Sequence, residues 1–242
     1  MSSGLYSAVS GAMSRLRMMD TISDNLSNGQ TVGFKKGGVS FEALLERPAR
    51  PQDASGVDYV QVKEGFSDFA QGGLTKTGLP FQLAIDGGGF FKVQDANGQV
   101  FLTRQGNMRR DPNGTMISPQ GMKLLGEDGR PLSFPNGEVV IDEQGMAALP
   151  DGGKVRVPIY SVPEVAQLER LGGGLFKIPQ PETLALQKDP HVFQGYVENS
   201  NVNTMQEVGR MMESLRAFEA CQKVMNNFSE LNGKIIEVGI IG

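Results

Sequence analysis

Apolar residues recur at steps of three and four through the last part of the chain, at Val208, Met211, Leu215, Phe218, Cys221, Val224, Phe228, Leu231, Ile235 and Val238. Such spacing draws one apolar stripe along a helix of roughly 35 residues, about 52 Å long at 1.5 Å per residue. The stripe lacks the all-round apolarity of a membrane span and must be covered by a partner. The same pattern occurs at the opposite end, where Leu5, Val9, Ala12, Leu16, Met19 and Leu26 step by three and four around Ser23. Two terminal helices are therefore expected to pair, with the middle of the chain forming a separate body.

Local signals bound these helices. Ser2 or Ser3 can cap the first, and Ser27-Asn28-Gly29 stops it near Leu26. Thr204 with Glu207 reads as a capping box opening the second. Met1 to Ser14 carry no charge, so the first helix is expected to be covered on more than one side. Gly4, Ala8 and Gly11 add a stripe of small residues, each Gly costing about 1 kcal/mol relative to Ala. Close approach of another backbone offsets that cost; a frayed terminus is the alternative. Glu213 with Arg216, Glu219 with Lys223 and Glu230 with Lys234 place acids ahead of bases at helical spacing, each pair worth about 0.2 to 0.5 kcal/mol.

Between the helices the period changes. Phe41 to Glu46 can add one apolar turn, Pro48, Pro51 and Gln52 to Gly56 read as an exposed connector, and Val57 to Phe69 reads as extended, with Val60 and Val62 on one face. From about Gly72 turn signals follow at short intervals: Asn97-Gly98, Asn113-Gly114, Asp128-Gly129, Asn136-Gly137 and Asp151-Gly152. They separate β-prone runs at 90–93, 99–103, 138–141 and 154–157, as hairpins of an antiparallel β domain require. Val165 to Leu171 reads as a short helix closed by Gly172-Gly173-Gly174, Leu175 to Ile178 as a strand, and Pro179 and Pro181 as a connector. The fold class is thus α+β: N- and C-terminal helices paired as a coiled coil, with a central antiparallel β-rich domain.

Composition narrows the chemistry. The 242 residues carry a net charge of -4, which argues against nucleic-acid binding. One cysteine excludes an internal disulfide, and Cys221, on the helical stripe, reads as a small buried apolar side chain. The N-terminus lacks the basic and apolar regions of a cleaved signal peptide. Gly87-Gly88-Gly89 is followed by Phe90-Phe91-Lys92-Val93, a strand rather than the helix a phosphate loop needs. Asp95-Ala96-Asn97-Gly98 lacks the closing Glu of a calcium loop, and His191 has no second His with which to share a metal. No nucleophile stands with a base in a recognisable motif, so no catalytic, cofactor or metal residue is expected.

Three motifs carry a family resemblance. Asn25-Leu26-Ser27-Asn28, Thr31 and Gly33-Phe34-Lys35 resemble the N-terminal signature of the bacterial flagellar rod and hook proteins, departing from it at Gly29-Gln30. Gly73-Leu74, Thr77, Leu83-Ala84-Ile85, Gly87, Gly89-Phe90-Phe91 and Thr103-Arg104-Gln105-Gly106 match the central pattern, with Gln82 where an Asp is usual. Gln194-Gly195-Tyr196-Val197-Glu198-Asn199-Ser200-Asn201-Val202-Asn203 matches the C-terminal signature, and Arg216 with Phe218-Glu219 matches the Arg and aromatic-acid pair beyond it. The opening Gly4 to Ala12 and the compact length resemble proximal-rod members more than distal-rod ones, and a hook protein would carry a larger central insertion.

The resemblance implies a structural subunit of the rod that crosses the periplasm, exported uncleaved by the flagellar type III apparatus. Its implied partners are copies of itself and other rod proteins, with no small-molecule substrate. It also implies an assembly domain of 1–36 with 194–242, an extended connector over 37–71 and a β-rich domain over 72–193. A distal-rod or hook-type axial subunit is the neighbouring alternative. From a different class, a β-rich carbohydrate-binding module with helical oligomerisation arms would need an aromatic cleft, for which four Tyr and no Trp are poor material.

Overall fold

The computed structural model describes residues 2–45, 58–150, 152–163, 168–177 and 184–240. Two helices bracket the chain, α1 over Ser2–Ser27 and α2 over Thr204–Ile240, of 26 and 37 residues. Neither is long and apolar enough to cross a membrane. All strands lie between them, so the architecture is α+β with a β-rich middle. The chain divides into two compact units, one of Met1–Ser27, Gly37–Phe66 and Asn203–Gly242, the other of Asn28–Lys36 and Ser67–Val202.

In the helical unit, α1 and α2 run antiparallel. Three contacts fix the register: a Cβ built on Gly4 would meet Phe228 Cζ at 3.0 Å, one on Gly11 would meet Cys221 Sγ at 3.5 Å, and Asn25 Nδ2 donates to Glu207 Oε2 at 3.2 Å. The paired residue numbers have the same sum each time, as two straight antiparallel helices require. Glycine at Gly4 leaves room for the Phe228 ring, which is the close approach that its helix cost implies. Gly11 is different, since 3.5 Å is ordinary van der Waals contact. Gly11→Ala should therefore raise the stability of the helical unit by about 1 kcal/mol, seen as a later helix transition in urea; a loss of stability would show that the helices sit closer than described.

The start of α2 differs from the expected capping box. Asn203 is the cap: its Oδ1 accepts the Gln206 N–H at 3.1 Å and its carbonyl accepts the Glu207 N–H at 3.0 Å. Glu207, expected to reach back to Thr204, is wholly buried beside Asn25 instead.

Residues after α1 form a two-stranded hairpin, Lys36–Leu45 with Asp58–Asp68. This corrects the apolar turn at Phe41 to Glu46, while Val57 to Phe69, expected to be extended, is so over Asp58–Asp68. Alternation of Val39, Ser40, Phe41 and Glu42 has the two-residue period of a strand, and Gly38 lies directly beneath the Phe66 ring of the opposite strand. The Pro48 to Gly56 stretch lies outside the described residues, and the side chains of Val60 and Val62 do too.

The β unit is built of antiparallel hairpins. Its largest sheet runs, in spatial order, Glu169–Gly172, Leu175–Lys177, Val100–Thr103, Phe91–Gln94, Lys123–Leu124, Met116–Ile117 and Arg109–Arg110. Val140–Ile141, Met146–Ala148 and Lys154–Arg156 form a second sheet. At three turns an Asp opens the bend: the Oδ1 of Asp95, Asp111 and Asp142 each accepts the N–H groups two and four residues on. That Asx device closes the hairpins along with the expected Asn-Gly pairs. Leu83, Ile85, Phe91, Val93, Phe134 and Val157 anchor one core, and Phe90, Leu102, Tyr160 and Phe176 a second.

The short helix expected over Val165 to Leu171 is corrected where it is described. Glu169–Gly172 is a strand that pairs with Leu175–Lys177, and 165–167 lie outside the described residues. Gly172, Gly173 and Gly174 have φ of 90°, 59° and 77°, a left-handed run that reverses the chain too tightly for a helix C-terminus. The connector at Pro179 and Pro181 is outside the described residues.

Candidate assembly site

Burial along α2 separates an inner row of residues from an outer one. Glu207, Met211, Ser214, Phe218, Cys221, Met225 and Phe228 are buried or half-buried and alternate in steps of four and three. Their counterparts on α1 are Gly4, Ala8, Gly11, Arg15, Met18, Ile22 and Asn25, at the same steps. Of the residues expected in the seam, Met211, Phe218, Cys221, Phe228, Leu5, Ala12, Met19 and Leu26 are covered to some degree, whereas Val208, Leu215, Val224, Leu231, Val9 and Leu16 are exposed. Ile235 lies in α2, its side chain outside the described residues.

Asn25 does more than join the helices. Its Oδ1 accepts the Gly37 N–H at 2.8 Å and its Nδ2 donates to the Gly37 carbonyl at 2.9 Å, so one side chain stands in for a strand partner at the start of the hairpin. On the outer face of α2 the Glu230–Lys234 pair closes at 2.8 Å.

The remaining motif residues meet in the β unit around one carboxylate. Glu198 Oε1 accepts from Lys35 Nζ at 2.6 Å and from the Gly72 N–H at 3.0 Å, and its Oε2 lies 3.4 Å from Arg104 Nη1. Lys35 also donates to the Ala70 carbonyl at 2.8 Å, and Arg104 Nη2 to the Gly87 carbonyl at 2.6 Å. Lys35 and Glu198 side chains are each only 1% exposed. Burial pushes the Lys35 ammonium below the ordinary lysine range against the pull of Glu198, and burial lowers Arg104 in the same way. One buried carboxylate thus holds two buried cations, each with a backbone carbonyl as second partner.

Backbone contacts complete the knot. The Gly33 N–H donates to the Glu198 carbonyl at 2.7 Å. Asn201 Oδ1 accepts the Lys36 N–H at 2.7 Å, while its Nδ2 donates to the carbonyls of Asp68 and Ala70. Arg170 donates to the Lys35 carbonyl at 2.9 Å and stacks over Phe34, its guanidinium 4.3 Å from the ring centre. The Gly195 carbonyl accepts from Thr77 and Gly78, and Asn28 and Thr31 close the turn after α1. Ser200 accepts the Val202 N–H. Residues 28–36 and 194–202, grouped with the terminal helices in the sequence reading, are tied by these bonds into the β unit.

Sequence reasoning named Lys35 and Glu198 without pairing them, and passed over Arg104, Arg170 and Glu207 as site residues. The available signal was chemical: a lysine and a glutamate inside apolar motifs, with an arginine in the third. Among the described residues no group of three or more His, Cys, Asp or Glu could hold a metal ion.

Comparison with known proteins places these motifs. Residues 5–35 match the family model for flagella basal body rod protein, 84–159 that for the flagellar hook protein FlgE/F/G D1 domain, and 194–238 that for the flagellar basal body rod FlgEFG protein C-terminal region. The chain is 31% identical to the flagellar basal-body rod protein FlgF of Caulobacter vibrioides, over 98% of each chain. It is 29% identical to the flagellar basal-body rod protein FlgG of Buchnera aphidicola, over 91% of this chain and 93% of the relative. Half of it matches the flagellar hook protein FlgE of Brucella abortus at 38% identity, over 30% of that longer protein.

Proposed function

Since the chain belongs to the flagellar basal-body rod protein family, and is therefore a structural component of the basal body and not an enzyme, we propose that it enters the rod through its two terminal helices. One observation carries the proposal: α1 and α2 bury a continuous seam between them and still leave Val208 and Leu215 of α2, and Val9 and Leu16 of α1, exposed. Apolar side chains on a helix each contribute about 1.5 to 3 kcal/mol when covered, and a neighbouring subunit can cover them.

In this reading the helices form an antiparallel coiled coil, whose seam steps of four and three have the 3.5-residue period of a left-handed supercoil. The stripes Leu5, Val9, Ala12, Leu16, Met19 and Leu26, with Val208 to Ile235, make the assembly surface, and the motif residues at 25–35 and 195–203 set where each helix starts or ends. Residues 1–36 with 194–242 act as the assembling part, 37–71 as the connection, and 72–193 as the β body. Partners are other rod and hook proteins and further copies of the chain. Export by the flagellar type III apparatus, and independence of cofactors and ligands, belong to the same proposal.

Leu215→Asp tests it. Leu215 faces outward, so the chain should fold as the parent does, yet be absent from isolated basal bodies and fail to restore swimming. Normal swimming with Leu215→Asp would defeat the proposal. Phe218→Asp, which puts a carboxylate inside the seam, should lose incorporation together with helix content.

A further inference from the structure

The outward apolar residues are not scattered. On α1, Tyr6, Val9, Met13 and Leu16 are 38% to 57% exposed and step by three, four and three. On α2, Met205, Val208, Met212 and Leu215 are 41% to 80% exposed and step by three, four and three as well. The two stripes cannot cover each other within one chain. In the register set by Gly4 with Phe228 and Asn25 with Glu207, the α1 stripe lies level with 216–226 of α2, and the α2 stripe lies level with 17–27 of α1.

From this, and resting on the assembly reading above, we infer that each stripe docks on the other stripe of a second copy of the chain, in a head-to-tail contact. In an array whose copies are related by rotation about and translation along an axis parallel to the helices, polarity is kept, and α1 of one copy runs antiparallel to α2 of the next. The step pattern reads identically in both directions. An antiparallel match therefore aligns all four levels at once: Tyr6 with Leu215, Val9 with Met212, Met13 with Val208, and Leu16 with Met205. No other register aligns four.

Relative to the seam inside one chain, this register is shifted by about 11 residues, an axial displacement of about 16 Å between neighbouring copies at 1.5 Å per residue. The contact joins two different faces, so each copy still offers one stripe after binding, and the array stays open in the manner of a helical filament. Over its first three levels, Tyr6, Val9 and Met13, the α1 stripe lies within an uncharged segment, Met1 to Ser14, so no α1 side chain there can oppose the contact by like charge.

Cysteine cross-linking in cells that assemble the full chain reads the register. With Leu16→Cys and Met205→Cys in one chain, a short bismaleimide should produce a ladder of dimers, trimers and higher multimers. Either single variant should show only the pattern of the parent, whose Cys221 is present in every arm. Val9→Cys with Met212→Cys should give the same ladder and guards against a pair that disturbs packing. Dimers from a single variant that persist with Cys221→Ala would mean that a stripe pairs with itself, and links to a different protein would mean another occupant; each overturns the inference. So does the absence of a ladder from both pairs. If cells making the parent chain build rods while no ladder forms, only this inference falls; the assembly reading falls on loss of the Leu215→Asp effect.

Discussion

Glu198→Ala should unfold the β unit in urea at a far lower concentration than the parent, with a loss of about 3 to 5 kcal/mol, the usual cost of removing one partner from a buried ion pair. The carboxylate balances Lys35 and Arg104, both buried, and also accepts the Gly72 N–H. Its removal leaves the Lys35 ammonium on the Ala70 carbonyl and the Arg104 guanidinium on the Gly87 carbonyl, with a long 3.5 Å contact to the Ile85 carbonyl, and no anion in contact with either among the described residues.

The defect should also depend on pH. Glu198 is what raises the Lys35 pKa against the desolvation that lowers it. Without the carboxylate, folded Lys35 binds its proton more weakly still, and the unfolded chain holds more protons than the folded one below the ordinary lysine value. Stability of the variant must then rise with pH, so the deficit should shrink as the pH rises toward the ordinary lysine value and Lys35 discharges. Arg104 keeps its charge throughout, and some deficit persists. A deficit that is flat over this range would show that Lys35 is not its source.

Gly33→Ala should be comparably severe. Gly33 has φ 67°, and a Cβ there would run into the backbone carbonyl of Arg104 and lie 2.5 Å from the Gln105 nitrogen. The left-handed conformation costs about 1 to 2 kcal/mol for an L-residue, and backbone overlap adds about 1 to 3 kcal/mol. Gly129→Ala separates the two effects. Gly129 has φ 75° with open space around its Cβ position, so it should lose only the smaller, conformational part. Equal losses for the two variants would show that Gly33 is not pressed against Arg104.

The helices and hairpins were legible because their periods are strong. Steps of three and four mark α1 and α2, and Asn97-Gly98 and Asn113-Gly114 mark turns. The inner face of the helix pair was not legible from hydrophobicity. Gly4, Gly11, Asn25, Glu207 and Ser214 hold inner positions, while Leu215, Val208 and Met205 point outward. In a helix that is apolar on two faces, the stronger stripe need not be the intrachain one. Of the hairpin after α1, the second strand was legible in Val57 to Phe69, but the first was missed because Phe41, Leu44 and Leu45 also suit a helical turn.

The buried cluster was hidden for another reason. Lys35, Arg104 and Glu198 are far apart in sequence, and a charge within an apolar motif has no local period that names its partner. Family motifs located all three residues, but only the fold brings them to one carboxylate.

Basal bodies isolated from cells that lack this chain, but keep every other flagellar protein, test the central claim most directly. A structural rod subunit predicts that no complete rod is found and that the full chain restores it. Complete rods of ordinary length in its absence would contradict that claim.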